Sequence, residues 1–303
     1  MRIFHRGWTH LLVLLLATLP FMAAAGANDP ARSARNPGAT KMERPRIALV
    51  LSGGGAKGSA HIGVLKVLEA KHIPVDIIVG TSMGSYVAGM YAMGLSAEEV
   101  ERTTLAIDWN KGYQDKVGRD ELSLRKKQQT EKYQLRTDIG VNGDQTQLPD
   151  GFFQGQSMAS LLRHATSNLP AQKSFDNLPI PYRAVATDME TVTPFVLDHG
   201  SLAKAMQASM SIPGALKPVD WDGRILADGG TVNNMPVDVA KAMGADVVIA
   251  VDISAKLRTR ESLKSGLAMI DQLTTYITQV GTEKQKALLG PGDILLTPEF
   301  GNM

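Results

Sequence analysis

A strand-like run that ends in a glycine-flanked serine constrains the fold of this chain more than any other stretch. Residues 77–79 are apolar and β-branched, and Gly80-Thr-Ser82-Met-Gly84 follows them before a helical pattern begins. This arrangement is typical of a nucleophile elbow, a sharp strand-to-helix turn that lifts the serine hydroxyl out of a sheet. Glycine is favoured at 80 and 84 because a Cβ would clash with the turned backbone. The alternative is a plain tight turn, but the flanking strand and helix favour a nucleophile.

A second glycine-rich turn precedes the elbow. Residues 46–51 form a short apolar run that predicts a buried strand, and a helical pattern with Ile62, Leu65 and Leu68 on one face comes after the turn. A strand–helix–strand unit of this length implies a parallel pair with a right-handed crossover. Both glycine turns are then expected at the carboxyl edge of the sheet.

The glycine-rich turn itself allows three interpretations. Gly53-x-Gly55-x-x-Gly58 fits a dinucleotide fingerprint, but that fold needs an acidic residue at the end of the second strand, where this chain has Gly80-Thr-Ser82. A Walker A loop fails because Gly58, and not Ser or Thr, follows the lysine. In the third interpretation, the backbone N–H groups of consecutive glycines form an oxyanion hole beside the serine. Loop and elbow together favour the oxyanion hole.

Alternating strand and helix patterns predict the fold class. We expect an α/β fold, a three-layer sandwich with a mainly parallel central sheet and helices on both faces. Beyond the elbow, the predicted strands are residues 182–187, 194–197, 224–227, 246–251 and 293–296. The predicted helices are residues 86–93, 97–107, 155–168, 202–211, 236–243 and 261–289.

Composition excludes several classes of function. The 303 residues are 44% hydrophobic and 20% charged, as in an ordinary globular protein with one core. A net charge of +2 without a basic stripe gives no reason to expect nucleic acid, and the basic cluster 125–127 is interpreted as a solvated face. The chain has no cysteine, which excludes disulfides and thiolate chemistry. We expect no metal and no cofactor, because no set of metal-ligating residues accompanies the serine motif.

The first 27 residues predict export. Basic residues at 2 and 6 precede the apolar run 11–16, and Ala25-x-Ala27 offers a cleavage site, so residues 1–27 are predicted to be a signal peptide. An uncleaved anchor is the alternative. Residues 28–44, rich in Ala, Asn, Pro, Arg and Ser, are predicted to be a flexible leader. The expected location is the periplasm, the outer-membrane surface or the medium.

A serine nucleophile needs a base to take its proton. In the usual hydrolase order Ser–Asp/Glu–His, a late histidine is missing, although Asp188 with His199 stays open as a pair. Asp228 stands at the end of a predicted strand before Gly229 and Gly230, where it is either a base or a β-turn residue. His61 is interpreted as structural or supporting.

Three motifs in this order resemble the patatin-like phospholipase family: Gly53-Gly-Gly-Ala-Lys-Gly58, Gly80-Thr-Ser-Met-Gly84 and Asp228-Gly-Gly230. The resemblance covers roughly residues 46–252. It implies a Ser–Asp dyad without histidine, with Ser82 as nucleophile and Asp228 as base. It also implies an oxyanion hole made by the N–H groups of Gly53, Gly54 and Gly55. The residues predicted to support these motifs are Lys57, Gly58, Gly80, Gly84, Gly229 and Gly230.

The runs 179–188 and 208–213 look like the bacterial exported branch of that family, in which a patatin passenger precedes an outer-membrane barrel. On this resemblance residues 45–255 form the hydrolase domain, and residues 256–303 add a helix and a strand. The function implied is a serine lipid acyl hydrolase of phospholipase A or lysophospholipase type. The alternatives are a lipid-binding passenger with little turnover and, more weakly, a nucleotide-binding protein.

The resemblance also implies partners. The implied partner is a phospholipid or lysophospholipid substrate at a membrane surface. Nucleic acid is not expected, on the composition given above. The oligomeric state stays open, with a homodimer as one option, and so does a covalent or genetic link to an outer-membrane barrel.

Overall fold

The computed structural model describes residues 44–113, 123–125, 128, 140–142, 145–147, 154–264 and 266–299. The predicted signal peptide, residues 28–43 of the predicted leader, and Lys126 and Lys127 of the basic cluster lie outside the described residues. Export and the leader therefore stay predictions.

Two sheets are present in the described part of the chain, a main sheet and a separate hairpin. The strands of the main sheet and of the hairpin (β3 and β4) are, in chain order, β1 (Ile47–Leu51), β2 (Ile77–Thr81), β3 (Gly140–Asn142), β4 (Gln145–Gln147), β5 (Tyr182–Asp188), β6 (Thr193–Leu197), β7 (Val219–Trp221), β8 (Arg224–Asp228), β9 (Val247–Val251) and β10 (Ile294–Leu296). The helices are α1 (Ser59–Ala70), α2 (Met83–Ala92), α3 (Ala97–Ala106), α4 (Trp109–Gly112), α5 (Gln156–Ala165), α6 (Leu202–Met210), α7 (Val237–Ala242) and α8 (Gly266–Lys286). Short 3₁₀ turns cover Gly55–Gly58, Phe175–Asn177, Gly229–Thr231 and Arg260–Ser262.

The main sheet has the order β10-β9-β1-β2-β5-β8-β7, and β6 also pairs with β5. β10, β9, β1, β2 and β5 are parallel, whereas β6, β8 and β7 join by antiparallel pairing. The mainly parallel α/β sheet predicted from the sequence is thus confirmed. The short strand β7 was not predicted, because its three residues are too few to show a strand periodicity.

Alternate residues of the central strands supply two cores. Leu49 and Leu51 of β1 belong to a large cluster that also contains apolar residues of α1, α2 and α6. Ala48 and Val50 point the other way, into a smaller cluster with residues of α7. Because side chains alternate along a strand, this division places helices on both faces of the sheet, as the predicted three-layer sandwich requires.

The last predicted helix, residues 261–289, is shorter in the structure. A 3₁₀ turn at Arg260–Ser262 precedes α8, which begins at Gly266. The backbone of Arg258 bonds the side chain of Gln272, so the chain must reverse direction between these two residues. No helix in the described ranges combines the length and apolarity needed to cross a bilayer.

Candidate active site

The site lies where two strands meet head-on along one edge of β5. Val185 of β5 pairs with Thr81, the last residue of β2, and Ala186 pairs with Asp228, the last residue of β8. The opposite edge of β5 is occupied by β6 over the same residues. Because β2 runs parallel to β5 and β8 runs antiparallel, their carboxyl ends converge on one point of the sheet.

The chain turns sharply into α2 at this point. Ser82 has φ 53° and ψ −127°, a conformation that L residues rarely adopt and that costs on the order of 1–3 kcal/mol. A Cβ at Gly80 would lie 2.4 Å from the carbonyl oxygen of Gly84, and a Cβ at Gly84 would lie 2.2 Å from that of Leu51. Glycine at both positions therefore lets the strand, the turn and the preceding loop approach closely enough to hold the strained serine.

Ser82 and Asp228 are in direct contact. The Oγ of Ser82 donates a hydrogen bond of 2.6 Å to Oδ2 of Asp228, while Oδ1 of Asp228 accepts the N–H of Gly230 at 2.7 Å. Asp228 is only 8% exposed, and burial raises the pKa of its carboxyl from 3.8 to about 6, although both hydrogen bonds oppose the rise. Such a carboxylate is a stronger base than a solvated one and is still ionised at neutral pH.

The glycine-rich loop lies beside the serine. A Cβ at Gly53 would come within 3.1 Å of the Cβ of Ser82. The N–H of Gly53, however, donates to the carbonyl of Asn234 at 3.1 Å, so the structure does not offer it as the oxyanion donor that was predicted. The N–H groups of Gly54 and Gly55, at the start of the 3₁₀ turn, have no partner within the described residues. Of the predicted set, these two donors are therefore left for the proposed oxyanion hole.

The other predicted motif residues surround this centre. Gly58 follows the loop so closely against α2 that a Cβ there would overlap the side chain of Met83 at 1.9 Å. Gly229 packs on the carbonyl of Val185, and Gly230 supplies the N–H that binds Asp228. Lys57 lies in the 3₁₀ turn between the loop and α1.

Two residues that hold the site were missed from the sequence. The hydroxyl of Ser209 on α6 accepts the N–H of Ser82 at 2.9 Å and donates to the carbonyl of Val185 at 2.6 Å. Asn234 bonds Gly53 through both its backbone and its side chain. Neither residue belongs to a catalytic motif. Their only sequence signal is position, Ser209 in the run 208–213 and Asn234 shortly after the Asp-Gly-Gly motif.

A third missed residue is Tyr113, which closes α4. Burial raises the pKa of its phenol to about 12, and the negative charge of Asp228 contributes to the rise. The phenol of Tyr113 therefore lies within electrostatic range of Asp228.

His61 is fully buried and contacts Ser52, the residue before the glycine-rich loop. Its Nε2 lies 2.8 Å from the carbonyl oxygen of Ser52, whereas its Nδ1 has no partner within the described part of the chain. Burial lowers the pKa of the imidazole to about 4, so the ring is neutral and donates from Nε2. This agrees with a supporting role.

The alternative pair of Asp188 with His199 is not formed. The two ring nitrogens of His199 contact Asp198 at 2.6 Å and Asp222 at 3.1 Å, on the surface. Asp188 instead bonds the guanidinium of Arg224 at 2.5 Å. No hydrogen bond between described residues joins His199 to Asp188 or to Ser82, whose Oγ bonds Asp228.

Among the described residues, no group of three or more His, Asp or Glu side chains is arranged to hold a metal ion.

Comparison with known proteins adds the family. The model of the family described as patatin-like phospholipase matches residues 49–241, which include the loop, the serine and Asp228. The chain belongs to the patatin-like phospholipase family. The resemblance drawn from the three motifs is thus confirmed at the level of the family, and the exported branch stays a prediction.

Relatives share this region and extend well beyond it. Human patatin-like phospholipase domain-containing protein 6 is 35% identical over 215 residues, which are 70% of this chain and 14% of that protein. An uncharacterized NTE family protein of Mycobacterium tuberculosis is 32% identical over 211 residues, 69% of this chain and 49% of that protein. The chain thus spans about half or less of these two relatives.

The solved structure of VipD from Legionella pneumophila overlaps with a TM-score of 0.44 at 14% identity, over 86% of this chain and 63% of that one. That overlap is too loose to carry a conclusion of its own.

Proposed function

We propose that this patatin-like chain is a serine lipid acyl hydrolase that cleaves carboxylic esters of glycerophospholipids, as a phospholipase A or lysophospholipase does. The observation that carries the proposal is the 2.6 Å hydrogen bond from Ser82 to a buried aspartate whose pKa is raised to about 6. A serine hydroxyl in contact with such a base has the arrangement that acyl transfer requires. The name of the family, patatin-like phospholipase, and that of the human relative support a phospholipid substrate.

In the first half of the reaction, Asp228 takes the proton of Ser82 as Oγ attacks the ester carbonyl carbon. The carbonyl oxygen becomes an oxyanion, which accepts hydrogen bonds from the N–H groups of Gly54 and Gly55. The tetrahedral intermediate collapses, the bond to the glycerol oxygen breaks, and Asp228 returns the proton to that leaving oxygen. The serine is left as an acyl ester.

The second half repeats these steps with water. Asp228 takes a proton from a water molecule, whose oxygen attacks the acyl carbon of the Ser82 ester. Collapse of the second tetrahedral intermediate releases the fatty acid, and the proton returns to Oγ. One base thus serves both halves without a histidine, which requires that its pKa lie close to the working pH.

A serine-reactive fluorophosphonate probe tests the proposal directly. We expect the probe to label the native chain at Ser82, as mapped by peptide mass spectrometry, and to leave Ser82→Ala and heat-denatured protein unlabelled. On defined phospholipids, the native chain is expected to release free fatty acid. If the chain binds lipid vesicles but is neither labelled nor releases fatty acid, it is a lipid-binding module with little turnover and the proposal fails.

We also propose that the enzyme is exported. The support is the succession of basic, apolar and small residues within residues 1–27. Amino-terminal sequencing of protein recovered from the bacterial envelope is expected to begin at Asn28. Recovery of the intact first residue in the cytosol would contradict this.

A further inference from the structure

Helix α8 exposes apolar side chains on one face. The set, called here the apolar stripe, has exposed fractions between 39% and 63% and consists of Met269, Leu273, Tyr276, Ile277 and Val280. At 3.6 residues per turn, these five positions fall within an arc of about 100°. A helix that packs on a soluble domain normally turns such an arc toward the core.

The polar face of α8 is the one that packs on the domain. The side chain of Gln279 donates to the carbonyl of Ala255 at 2.8 Å, Thr282 is 1% exposed, and Lys286 forms an ion pair of 2.8 Å with Asp252. These contacts fix the rotation of the helix about its axis. The apolar stripe is therefore held outward by bonded polar groups and is not merely a loosely placed surface.

The stripe also projects from the edge of the sheet that carries Ser82. Asp252 directly follows β9, so Lys286 marks the carboxyl edge, while Asp293, beyond the end of α8, bonds the N–H of Val248 near the start of β9. Toward the amino end of α8, Gln279 contacts Ala255 and Gln272 contacts Arg258, and these two partners follow β9 by four and seven residues in the chain. With a rise of 1.5 Å per residue, Leu273 lies about 20 Å along the helix from Lys286.

A basic segment runs beside the stripe. Residues 255–264, called here the basic segment, contain four cationic residues and one acidic residue, and their cations are exposed. Those cations are Lys256, Arg258, Arg260 and Lys264. Backbone groups of Ala255 and Arg258 bond α8, so the charges are held next to the helix that carries the stripe.

We propose that the apolar stripe and the basic segment together dock on the surface of an anionic phospholipid bilayer. An outward apolar face flanked by cations is the pattern of helices that lie in the membrane interface. A second copy of the chain fits less well, because a two-fold contact through this surface would bring two sets of cations together. The proposal deepens the proposed function, on which it rests for the bilayer being the source of the substrate.

The test is cosedimentation of the chain with vesicles of phosphatidylcholine, with and without phosphatidylglycerol. We expect the native chain to bind the anionic vesicles. The stripe variant, Leu273→Ser combined with Ile277→Ser, is expected to lose about tenfold or more of that affinity. The charge variant, which combines Lys256→Gln, Arg260→Gln and Lys264→Gln, is expected to show a similar loss on the same vesicles. The binding of the charge variant to vesicles of phosphatidylcholine alone is expected to be unchanged, so this variant loses only the preference for phosphatidylglycerol. The matched control for the stripe is Leu105→Ser with Val67→Ser, two apolar residues exposed by 76% and 56% on α3 and α1.

A soluble short-chain ester separates docking from catalysis. All these variants are expected to hydrolyse it within about twofold of the native chain, since none touches the dyad or the glycine-rich loop. If the native chain hydrolyses the ester but does not bind vesicles, or if the stripe variant binds them as the native chain does, the docking proposal is overturned. It is also overturned if the stripe variant turns a dimer into a monomer with unchanged vesicle binding. Binding by a chain that hydrolyses no ester would instead support docking and contradict the proposed function.

Discussion

The ends of β5 and β8 each carry a buried aspartate, and the two side chains have opposite electrostatics. Asp228 ends β8 beside a hydroxyl and an N–H group, and burial raises the pKa of its carboxyl to about 6. Asp188 ends β5 against the guanidinium of Arg224, which lowers the pKa of its carboxyl. Both lie at strand ends of one antiparallel pair, with only one residue of β5 between Asp188 and the partner of Asp228.

The difference indicates which surroundings suit an aspartate to the proposed role of base. A cationic neighbour stabilises the carboxylate and removes its tendency to accept a proton, whereas neutral donors leave most of that tendency in place. Both residues end a strand and are little exposed, but burial dominates the pKa of Asp228, whereas the guanidinium of Arg224 dominates that of Asp188. The predictions below test this contrast from the largest expected effect to the smallest.

The largest effect is expected on turnover. Ser82→Ala and Asp228→Asn should each lower kcat/KM on one ester by about a thousandfold or more, and the double variant should be little worse, since members of one catalytic unit are not additive. Asp188→Asn is the matched control and should stay within about tenfold, equivalent to about 1.4 kcal/mol. His199→Ala should do the same. An inactive His199→Ala beside a working Asp228→Asn would overturn the dyad.

The second effect is on stability, where the two aspartates should respond in opposite directions. A pKa raised from 3.8 to about 6 means that the Asp228 carboxylate costs up to about 3 kcal/mol of unfolding free energy, a cost that grows as pH rises from 3.8 and is complete above about 6. Asp228→Asn should therefore unfold at higher denaturant concentration than the native chain at pH 8, and the difference should vanish near pH 4.

Substitution of Asp188 should change the free energy of unfolding in the opposite direction. The lowered pKa of Asp188 contributes stability that is present at neutral pH and lost as pH falls through the folded-state value, so Asp188→Asn should be less stable at pH 8. Urea unfolding of both variants at the two pH values makes the measurement. Equal shifts of the same sign in the two variants would show that the neighbouring groups do not set the contrast.

The third effect is the pH dependence of catalysis. Because Asp228 must be ionised to accept the serine proton, kcat/KM on a soluble ester should fall about tenfold per pH unit below about 6 and stay level above it. Asp188→Asn should show the same fall of kcat/KM below about pH 6. If kcat/KM instead fell only below about pH 4, the ordinary pKa of an aspartate, burial would not raise the pKa of Asp228.

The smallest effect is expected at His61, which acts through the loop. His61→Leu removes the donor to the carbonyl of Ser52. It should lower kcat by about tenfold with little change in KM, because the loop N–H groups would be displaced from the position of the oxyanion. His61→Gln keeps an N–H near the same place and should recover most of that loss. Equal losses in both variants, with native circular dichroism, would argue against positioning by this bond.

The sequence predicts the parts of this molecule that depend on local pattern. The parallel core, the elbow at Ser82 and the glycine-rich turn follow from runs of apolar residues and from glycine spacing, and the structure has each in its predicted place. The family follows from three motifs in order and is confirmed. The division into a domain of residues 45–255 and an addition of residues 256–303 stays a prediction.

Contacts between residues far apart in the sequence could not be predicted from local pattern. Ser82 and Asp228 are 146 residues apart, and their contact depends on β2 and β8 sharing one edge of β5, which no local pattern encodes. The same holds for Asn234, whose backbone takes the N–H of Gly53 out of the predicted oxyanion hole. The pairing of Ser82 with Asp228 is expected from the family resemblance alone. Deriving either contact from the residues themselves would have required the sheet order, because the partners meet only through tertiary structure.

The head-on meeting of β2 and β8 also governs when reactivity appears during biosynthesis. The nucleophile leaves the ribosome long before the base, and neither half of the pair can be completed by residues near it in sequence. A nascent chain therefore has an unactivated serine until β8 has been made and has paired with β5. The proposed hydrolase is thus inactive while its first 227 residues are being translated.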